Sequence, residues 1–558
     1  MSDAARLRDE AMAAEKAGDS PRARQLFESA VKVAPEDPRL LNSAGAAYLR
    51  WGDLAQAIAL FAKARALAPA ELDYPINEAI ALGREGRHGA AARLLASVEQ
   101  IGKSQARYWS ARGNAERQAY DFASAQASYD NALAVDPRHA RAAHGRAIIA
   151  FERGQADTLQ RFDRAIALAP GEIALWRTKA MALDAEGRTT EALAIGEQVV
   201  TQIPQWVEGL ESYAQLRIGT GEKDFASHYD DAVGKTDAPD EIFGSWAKML
   251  AGLDRFAEAA DVAARARREA REPESFALSE AVYAGLACDN DRAEAIFTKI
   301  GDVPRDWQKH AARQDIRMGR IERAERTLGA LIESRDQHDD VDLWALRDVC
   351  WRLLDDPRHE WLHGREGLVR PMPLGNPQVL DEARTALREL HRKAALPIGQ
   401  SVRGGTQTRG RLFQREEPIL AKLHDAIMTT LERYRREMPE RDESHPILRH
   451  RDERWKLTHS WSVRLVGAGY HTSHIHPLGI LSSALYLIVP DSVDDDGAPG
   501  HLEIGRPPPD LQTALGPIMT IRPSVGHLAL FPSSLYHGTR DFDEGERMTV
   551  AFDVSIGG

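Results

Sequence analysis

Apolar residues recur at helical spacing over the first three-fifths of the chain. One representative stretch carries two apolar helical faces, formed first by Leu41, Ala44, Gly45 and Tyr48, then by Ala57, Phe61 and Ala64. The first set falls at i, i+3, i+4 and i+7, the spacing of one side of an α-helix. Gly52 separates the two faces and Pro69 follows the second. This pattern predicts two packed antiparallel helices.

The same pattern returns at a fixed interval. Prolines recur 33 to 35 residues apart, with one interval of 68, at Pro35, Pro69, Pro137, Pro170, Pro204, Pro239 and Pro273. Turn glycines keep the same period at Gly18, Gly52, Gly86, Gly154, Gly187 and Gly221. A period of this length is typical of a helical solenoid.

Residue types at these positions resemble the tetratricopeptide repeat (TPR). The stretches that carry the resemblance are 23–35, 41–69 and 109–137, with a degenerate copy at 176–204. It extends over roughly residues 4–345 and weakens after about 275. A TPR superhelix implies a concave groove for a protein or peptide partner. The alternative is that the repeats serve only as an assembly surface.

The repeat period ends near residue 355. The proline-rich stretch 369–377 predicts an extended segment. Helices are predicted at Gln378–Ala395 and Glu417–Arg436. Between them lies the glycine-rich stretch Gln400–Thr408, which lacks the lysine and the spacing of a phosphate-binding loop.

Short strands dominate from about Lys456 onward. Five are predicted, at 461–466, 481–489, 518–521, 527–531 and 547–554, each bounded by glycine, proline or aspartate. Closely spaced short strands without long helices between them favour an antiparallel barrel or jelly roll. The predicted fold class is therefore multidomain α + β: an all-α solenoid (1–350), a linker with a helical lead-in (351–455) and a β core (456–558).

Composition excludes several function classes. The 558 residues carry a net charge of −12, with 43% hydrophobic and 28% charged residues. The acidic balance argues against nucleic-acid binding. Cys288 and Cys350 are the two cysteines, which is too few for a disulfide framework or a thiolate zinc site. Neither an apolar leader nor a membrane span is recognisable, so we expect a soluble, cytoplasmic protein.

Histidines cluster where the β pattern begins. His474 and His476 are two residues apart, so on a regular strand they point to the same side. His537, after a later strand, can complete a metal site with three open positions, which suit a bidentate 2-oxo acid and dioxygen. Arg547 then suits the far carboxylate of a five-carbon dicarboxylate. His471, three residues before His474, is expected to point to the opposite face.

Residues 456–558 resemble the double-stranded β-helix of the 2-oxoglutarate/iron(II) oxygenases. The motifs that carry the resemblance are Gly469–Pro477, Ser482–Tyr486, Leu530–His537 and Arg547–Phe552. The resemblance implies iron ligands at His474 and His537, with Arg547 binding 2-oxoglutarate.

Position 476 departs from the commonest pattern of this superfamily, which has aspartate or glutamate there. Three interpretations remain open: a third imidazole from His476, a water molecule, or a carboxylate from elsewhere, such as Asp553 or Glu503. Both carboxylates are otherwise expected at the surface or in turns. We favour three histidines, His474, His476 and His537, as metal ligands and catalytic residues, since imidazole suits iron.

Two further residues are co-substrate candidates. Tyr486 either donates a hydrogen bond to 2-oxoglutarate or packs in the core, and Thr549 belongs to the motif that begins at Arg547. The predicted activity is that of an iron(II)- and 2-oxoglutarate-dependent dioxygenase that hydroxylates a protein or peptide side chain recruited by the TPR groove. The alternatives are a small-molecule hydroxylase whose repeats serve assembly, and a non-catalytic TPR scaffold.

Overall fold

A computed structural model describes residues 3–237, 239–334, 340–392, 394 and 401–556. Contacts between residues divide the chain into two compact units, residues 1–179 and 180–558. The predicted domain boundaries at 350 and 455 stay predictions. The predicted end of the first lead-in helix, at Ala395, lies outside the described residues, as does Gln400.

Helices make up the first unit. Their bounds are α1 (Asp3–Lys16), α2 (Ser20–Val33), α3 (Pro38–Arg50), α4 (Leu54–Leu67), α5 (Asp73–Arg84), α6 (His88–Ser97), α7 (Glu99–Gly102), α8 (Ala106–Gln118), α9 (Phe122–Val135), α10 (Ala140–Glu152), α11 (Thr158–Leu168) and α12 (Ile173–Ala185), the last of which contains the boundary. None of the described helices in the chain is long and apolar enough to cross a membrane.

The pair α3–α4 illustrates why the repeat sequence folds in this way. Gly52 adopts a φ of +80°, which glycine reaches without steric cost, and so ends α3. The Asp53 side chain then accepts a hydrogen bond from the Gln56 amide at the start of α4. A Cβ at Gly45 would lie 2.8 Å from the Phe61 ring, so glycine permits this close approach of the two helices. The predicted helical pairs are confirmed.

The second unit contains further helices and all the strands. Its helices are α13 (Thr189–Gln202), α14 (Val207–Gly219), α15 (Ser227–Val233), α16 (Asp240–Ala251), α17 (Phe256–Glu269), α18 (Pro273–Leu286), α19 (Asn290–Ile300), α20 (Gln308–Arg317), α21 (Ile321–Glu333), α22 (Val341–Leu353), α23 (Arg358–Leu362), α24 (Pro377–Arg392) and α25 (Pro418–Glu437). Its strands are β1 (Arg370–Pro373), β2 (Val402–Gln407), β3 (Trp455–His474), β4 (Leu481–Ile488), β5 (Leu502–Ile504), β6 (Met519–Ile521), β7 (His527–Pro532), β8 (His537–Thr539) and β9 (Glu546–Ile556).

These nine strands form one antiparallel sheet that nearly closes into a barrel. The order is β1-β7-β4-β9-β3-β8-β5-β6, and β2 pairs with β3. The predicted jelly-roll class is confirmed, and each of the five predicted strands is present. The glycine-rich stretch contributes β2.

Helices α24 and α25 cover one face of this sheet. Alternate residues of β9, among them Val550, Phe552 and Val554, share a buried core with Leu423 and Ile427 of α25. The residues between them on β9 are thereby directed to the other face of the sheet, away from these helices.

The last repeat-array helices of the second unit pack against the β domain. Arg313 and Arg317 of α20 both bind the Asp510 carboxylate, with N–O distances of 2.6 and 2.5 Å. Nearby, Trp351 and Tyr536 belong to one apolar cluster. Burial alone would raise the pKa of Asp510, but the two guanidinium groups lower it below its ordinary value.

Replacing Asp510 with alanine leaves two guanidinium groups without their buried partner. We expect the free energy of unfolding of the second unit to fall by about 3–5 kcal/mol, measured by urea denaturation at neutral pH. Because the pKa of Asp510 is lower in the folded state, its contribution is complete above about pH 4 and declines as the pH falls further. The difference between wild type and variant should therefore shrink in acid. Asp496→Ala, on an exposed turn, is the control, and equal losses from both changes would contradict the prediction.

Candidate active site

A cavity of about 540 Å³ opens inside the β domain. Four alternate residues of β9 line it, namely Arg547, Thr549, Ala551 and Asp553. They are the side chains that strand alternation directs away from α24 and α25. Trp461 and Val463 of the neighbouring strand β3 line the same cavity.

Three histidines converge at this cavity. His474 ends β3 and lies opposite His537, which begins β8. The Nε2 atoms of His474 and His476 are 3.1 Å apart, and the ring centres of His474 and His537 are 4.2 Å apart. One ring nitrogen from each of the three lies within 4.8 Å of the other two. The structure thus brings together all three predicted ligands.

The other ring nitrogen of each histidine has a partner of its own. His474 Nδ1 lies 2.8 Å from the Thr472 carbonyl oxygen, and His537 Nδ1 lies 3.0 Å from the Leu535 carbonyl oxygen. Because a carbonyl oxygen only accepts, each Nδ1 carries the proton and each Nε2 keeps its lone pair. Outer partners of this kind orient metal-binding imidazoles.

Their surroundings keep the imidazoles of His474 and His537 neutral. Burial, together with the neighbouring His476, lowers the pKa of His474 to about 3. Burial, together with the neighbouring His474 and His476, holds the pKa of His537 well below its ordinary value. Neutral imidazole is the form that binds a metal ion. The donor set, three nitrogen atoms with no thiolate, fits iron(II).

Asp553 occupies a different place from the one expected. It is buried on β9, and its carboxylate lies 2.6 Å from His476 Nδ1. The expectation of a surface position is wrong for Asp553 and also for Glu503, which is buried between Arg506 and Arg540. Asp553 therefore contacts His476 at Nδ1, the ring nitrogen that does not face the other two histidines.

Arg547 is buried at the same cavity without an acidic partner. Among the described residues no carboxylate pairs with it, and its Nε atom has no hydrogen-bond partner. Its guanidinium carbon lies 5.2 Å from the centre of the Tyr486 ring, whose buried hydroxyl also lacks a partner. Burial lowers the pKa of Arg547, so an incoming carboxylate would relieve an uncompensated charge. Thr549 lines the cavity two residues further along β9.

His471 does not point to the opposite face, and that expectation is wrong. Its ring stacks at 6.0 Å from His474 and lines the cavity. The pairing of β3 with β8 shifts register between His471 and His474, so the regular alternation of faces is interrupted. Ser401, which sequence reasoning did not single out, lies 3.0 Å from His471 Nδ1 and 3.2 Å from His474 Nε2. No local pattern marks it, since a strand pairing brings it there.

Comparison with protein families agrees with this division of the chain. Residues 459–553 match the family model described as "Putative 2OG-Fe(II) oxygenase". Residues 8–71 and 110–158 match the tetratricopeptide repeat model. The chain thus combines TPR repeats and a match to an oxygenase domain. No curated protein matches it.

Similar solved structures include two tetratricopeptide repeat proteins and yeast Tom70. A tetratricopeptide repeat protein from Parabacteroides merdae is 19% identical, covering 44% of this chain and 98% of its own, with a TM-score of 0.38. A thermophilic TPR protein from Thermus thermophilus is 22% identical, covering 32% and 98%, with a TM-score of 0.28. Yeast Tom70 is 12% identical, covering 64% and 97%, with a TM-score of 0.34.

The position of Asp553 generates a prediction about metal affinity. Asp553→Asn keeps the shape but removes the charge behind His476, so we expect iron(II) affinity to fall about 10- to 100-fold. Equilibrium dialysis under anaerobic conditions measures this. Glu503→Gln is the matched control because that buried carboxylate contacts arginines and no histidine. The prediction is contradicted if Glu503→Gln weakens iron binding while Asp553→Asn leaves the affinity unchanged.

Proposed function

We propose that the chain is an iron(II)- and 2-oxoglutarate-dependent dioxygenase that hydroxylates a side chain of a protein or peptide recruited by its repeats. The observation that carries the proposal is one cavity that holds both three convergent imidazoles and a buried arginine that no described carboxylate pairs with. Either feature alone has a structural explanation. Together they match a metal ion and a dicarboxylate that must lie side by side.

Each residue has a defined part in this proposal. His474, His476 and His537 hold iron(II) through Nε2, Arg547 holds the far carboxylate of 2-oxoglutarate, and Tyr486 donates its unpaired hydroxyl to the same group. Thr549 contributes a hydroxyl on the same face of β9. When bound, iron(II) and 2-oxoglutarate supply the oxidising chemistry that uses dioxygen and yields succinate, carbon dioxide and a hydroxylated substrate.

The rest of the cavity excludes water and orients the substrate. Apolar side chains form much of its wall, including Val463, Leu502, Phe531 and Ala551. A wall of this kind strengthens the interactions of Arg547 with a bound carboxylate, because the local dielectric is low. The exposed Leu478 also lines the cavity, where it can meet an incoming chain.

A macromolecular substrate is supported by contacts between the repeats and the segment around β2. Arg403 binds Asp254 in the turn between α16 and α17, with a 2.8 Å contact. Arg409 binds Asp184 of α12 at 2.5 Å. Gln407, which lies between these two arginines in the sequence, lines the cavity. The repeat helices of the second unit therefore touch the same segment that borders the cavity.

The cavity volume also suits a small molecule, since ligand pockets commonly measure about 300–1,000 Å³. In that alternative the repeats serve assembly only. The two versions share the iron chemistry and differ in the product that carries the new oxygen atom.

Arg547→Ala tests the co-substrate site. Loss of a charged hydrogen-bonding pair costs about 3 kcal/mol, so we expect 2-oxoglutarate to bind about 100-fold more weakly. Titration of the anaerobic iron(II) protein, followed by the metal-to-ligand charge-transfer absorption of the complex, gives the affinity. Arg522→Ala, which removes an exposed ion pair with Asp494, is the control. Absence of the absorption band in wild type would contradict the enzyme itself and leave the scaffold alternative.

Labelled dioxygen identifies the class of substrate. We expect wild-type protein, supplied with iron(II), 2-oxoglutarate and cell extract, to place one labelled oxygen atom in a peptide, detected by mass spectrometry. His537→Ala should place none, because the iron site loses one of its ligands. Asp184→Ala and Asp254→Ala, which remove the partners of Arg409 and Arg403, should slow peptide labelling while the absorption band persists. Label found in a small molecule, with no peptide labelled, would favour the alternative.

A further inference from the structure

A second histidine cluster lies in the same unit, outside the cavity. Asp348 of α22 faces His359 and His363, which are four residues apart at α23. His359 Nδ1 lies 2.7 Å and His363 Nδ1 3.1 Å from the same carboxylate oxygen of Asp348. These residues play no part in the proposed oxygenase chemistry.

Asp348 carries a buried charge that needs compensation. Only 4% of its surface is exposed, and among the described residues its ion-pair partners are these two histidines. The neighbouring Arg352 is directed elsewhere, to the carbonyl oxygens of Gly505 and Gly516. A buried carboxylate of this kind is paired or binds a metal ion.

The orientation of His363 favours the metal. Its side chain is almost fully buried, yet its Nδ1 atom has no hydrogen bond, so a proton there would not point at the carboxylate. His363 Nδ1 is thus a buried ring nitrogen beside the Asp348 carboxylate that no described residue satisfies by a hydrogen bond. His363 Nε2 lies 2.9 Å from the Ser534 hydroxyl, a partner to which it can donate its proton.

We propose that Asp348, His359 and His363 form a second metal site, distinct from the iron site, that takes a divalent ion of the zinc class. Two imidazole nitrogens and one carboxylate oxygen are zinc donors, with a fourth position for water. The three ligand atoms lie within 4.8 Å of one another, and bonds of about 2.0–2.2 Å to a shared ion would require His359 Nδ1 and the Asp348 oxygen to move from 2.7 Å to about 3.4 Å apart. A bound ion would join α22 and α23 and, through Ser534, the segment that leads to His537.

The test separates the two sites. In the background His474→Ala/His537→Ala, which lacks two ligands of the iron site, the protein is loaded with Co²⁺ or Zn²⁺ and dialysed. We expect one metal ion per chain by elemental analysis, with the absorption of four-coordinate Co²⁺. Adding His359→Ala and His363→Ala should abolish both signals, whereas His424→Ala, at a solvent-accessible histidine on α25, should change neither.

Controls keep the result decisive. His359→Ala/His363→Ala in an otherwise wild-type chain should retain the anaerobic iron(II)–2-oxoglutarate absorption, so failure of the oxygenase proposal is seen separately. If that variant does not fold, Asp348→Asn replaces it, since it conserves volume while removing the charged ligand. The proposal is overturned if the His474→Ala/His537→Ala background holds no metal after loading. It is equally overturned if the metal content is unchanged once His359 and His363 are also replaced. In either case the three side chains are held together by hydrogen bonds and not by a metal ion.

Discussion

Alternation of side chains along β9 is the constraint on which the second unit depends. Val550 and Phe552 face the helices α24 and α25, while Arg547 and Asp553 face the cavity. A shift of pairing by one residue would exchange the two sets. It would place a guanidinium and a carboxylate in an apolar core and empty the cavity of its charged groups, at a large cost in free energy. The register that packs the helices therefore also positions the candidate site.

Asp553 suggests how the site tolerates histidine at position 476. A carboxylate ligand would neutralise one charge of the metal directly, whereas a third imidazole does not. Asp553 places that negative charge on the far side of the His476 ring, 2.6 Å from its Nδ1 atom. An imidazole that donates to a carboxylate becomes a more basic ligand. In the proposed enzyme, the charge is thus conserved although the ligand type changes.

The sequence was informative wherever residues recur at a fixed spacing, either the repeat length of the helical pairs or the two-residue alternation of a strand. The repeat spacing predicted the helical pairs. Arg547 and Asp553 are six residues apart, and an even separation on a strand is sufficient to place both on one face of β9. Sequence reasoning failed where the spacing is interrupted. The register shift after His471 turns that ring into the cavity, and Ser401 reaches His474 only because β2 pairs with β3. Non-local pairing of this kind leaves no mark on neighbouring residues.

Four consecutive residues connect the end of the repeat array with the candidate site. Ser534 contacts His363, Tyr536 packs in the cluster that includes Trp351, and His537 faces the cavity. Because Tyr536 is buried in that cluster, the packing of α22 holds the residue next to His537, with or without the contact of Ser534 with His363. Protein interiors are close-packed and transmit such displacements. The array end is therefore part of the structure that holds the third histidine in place, and the repeats of the second unit are not a detachable appendage of the β domain.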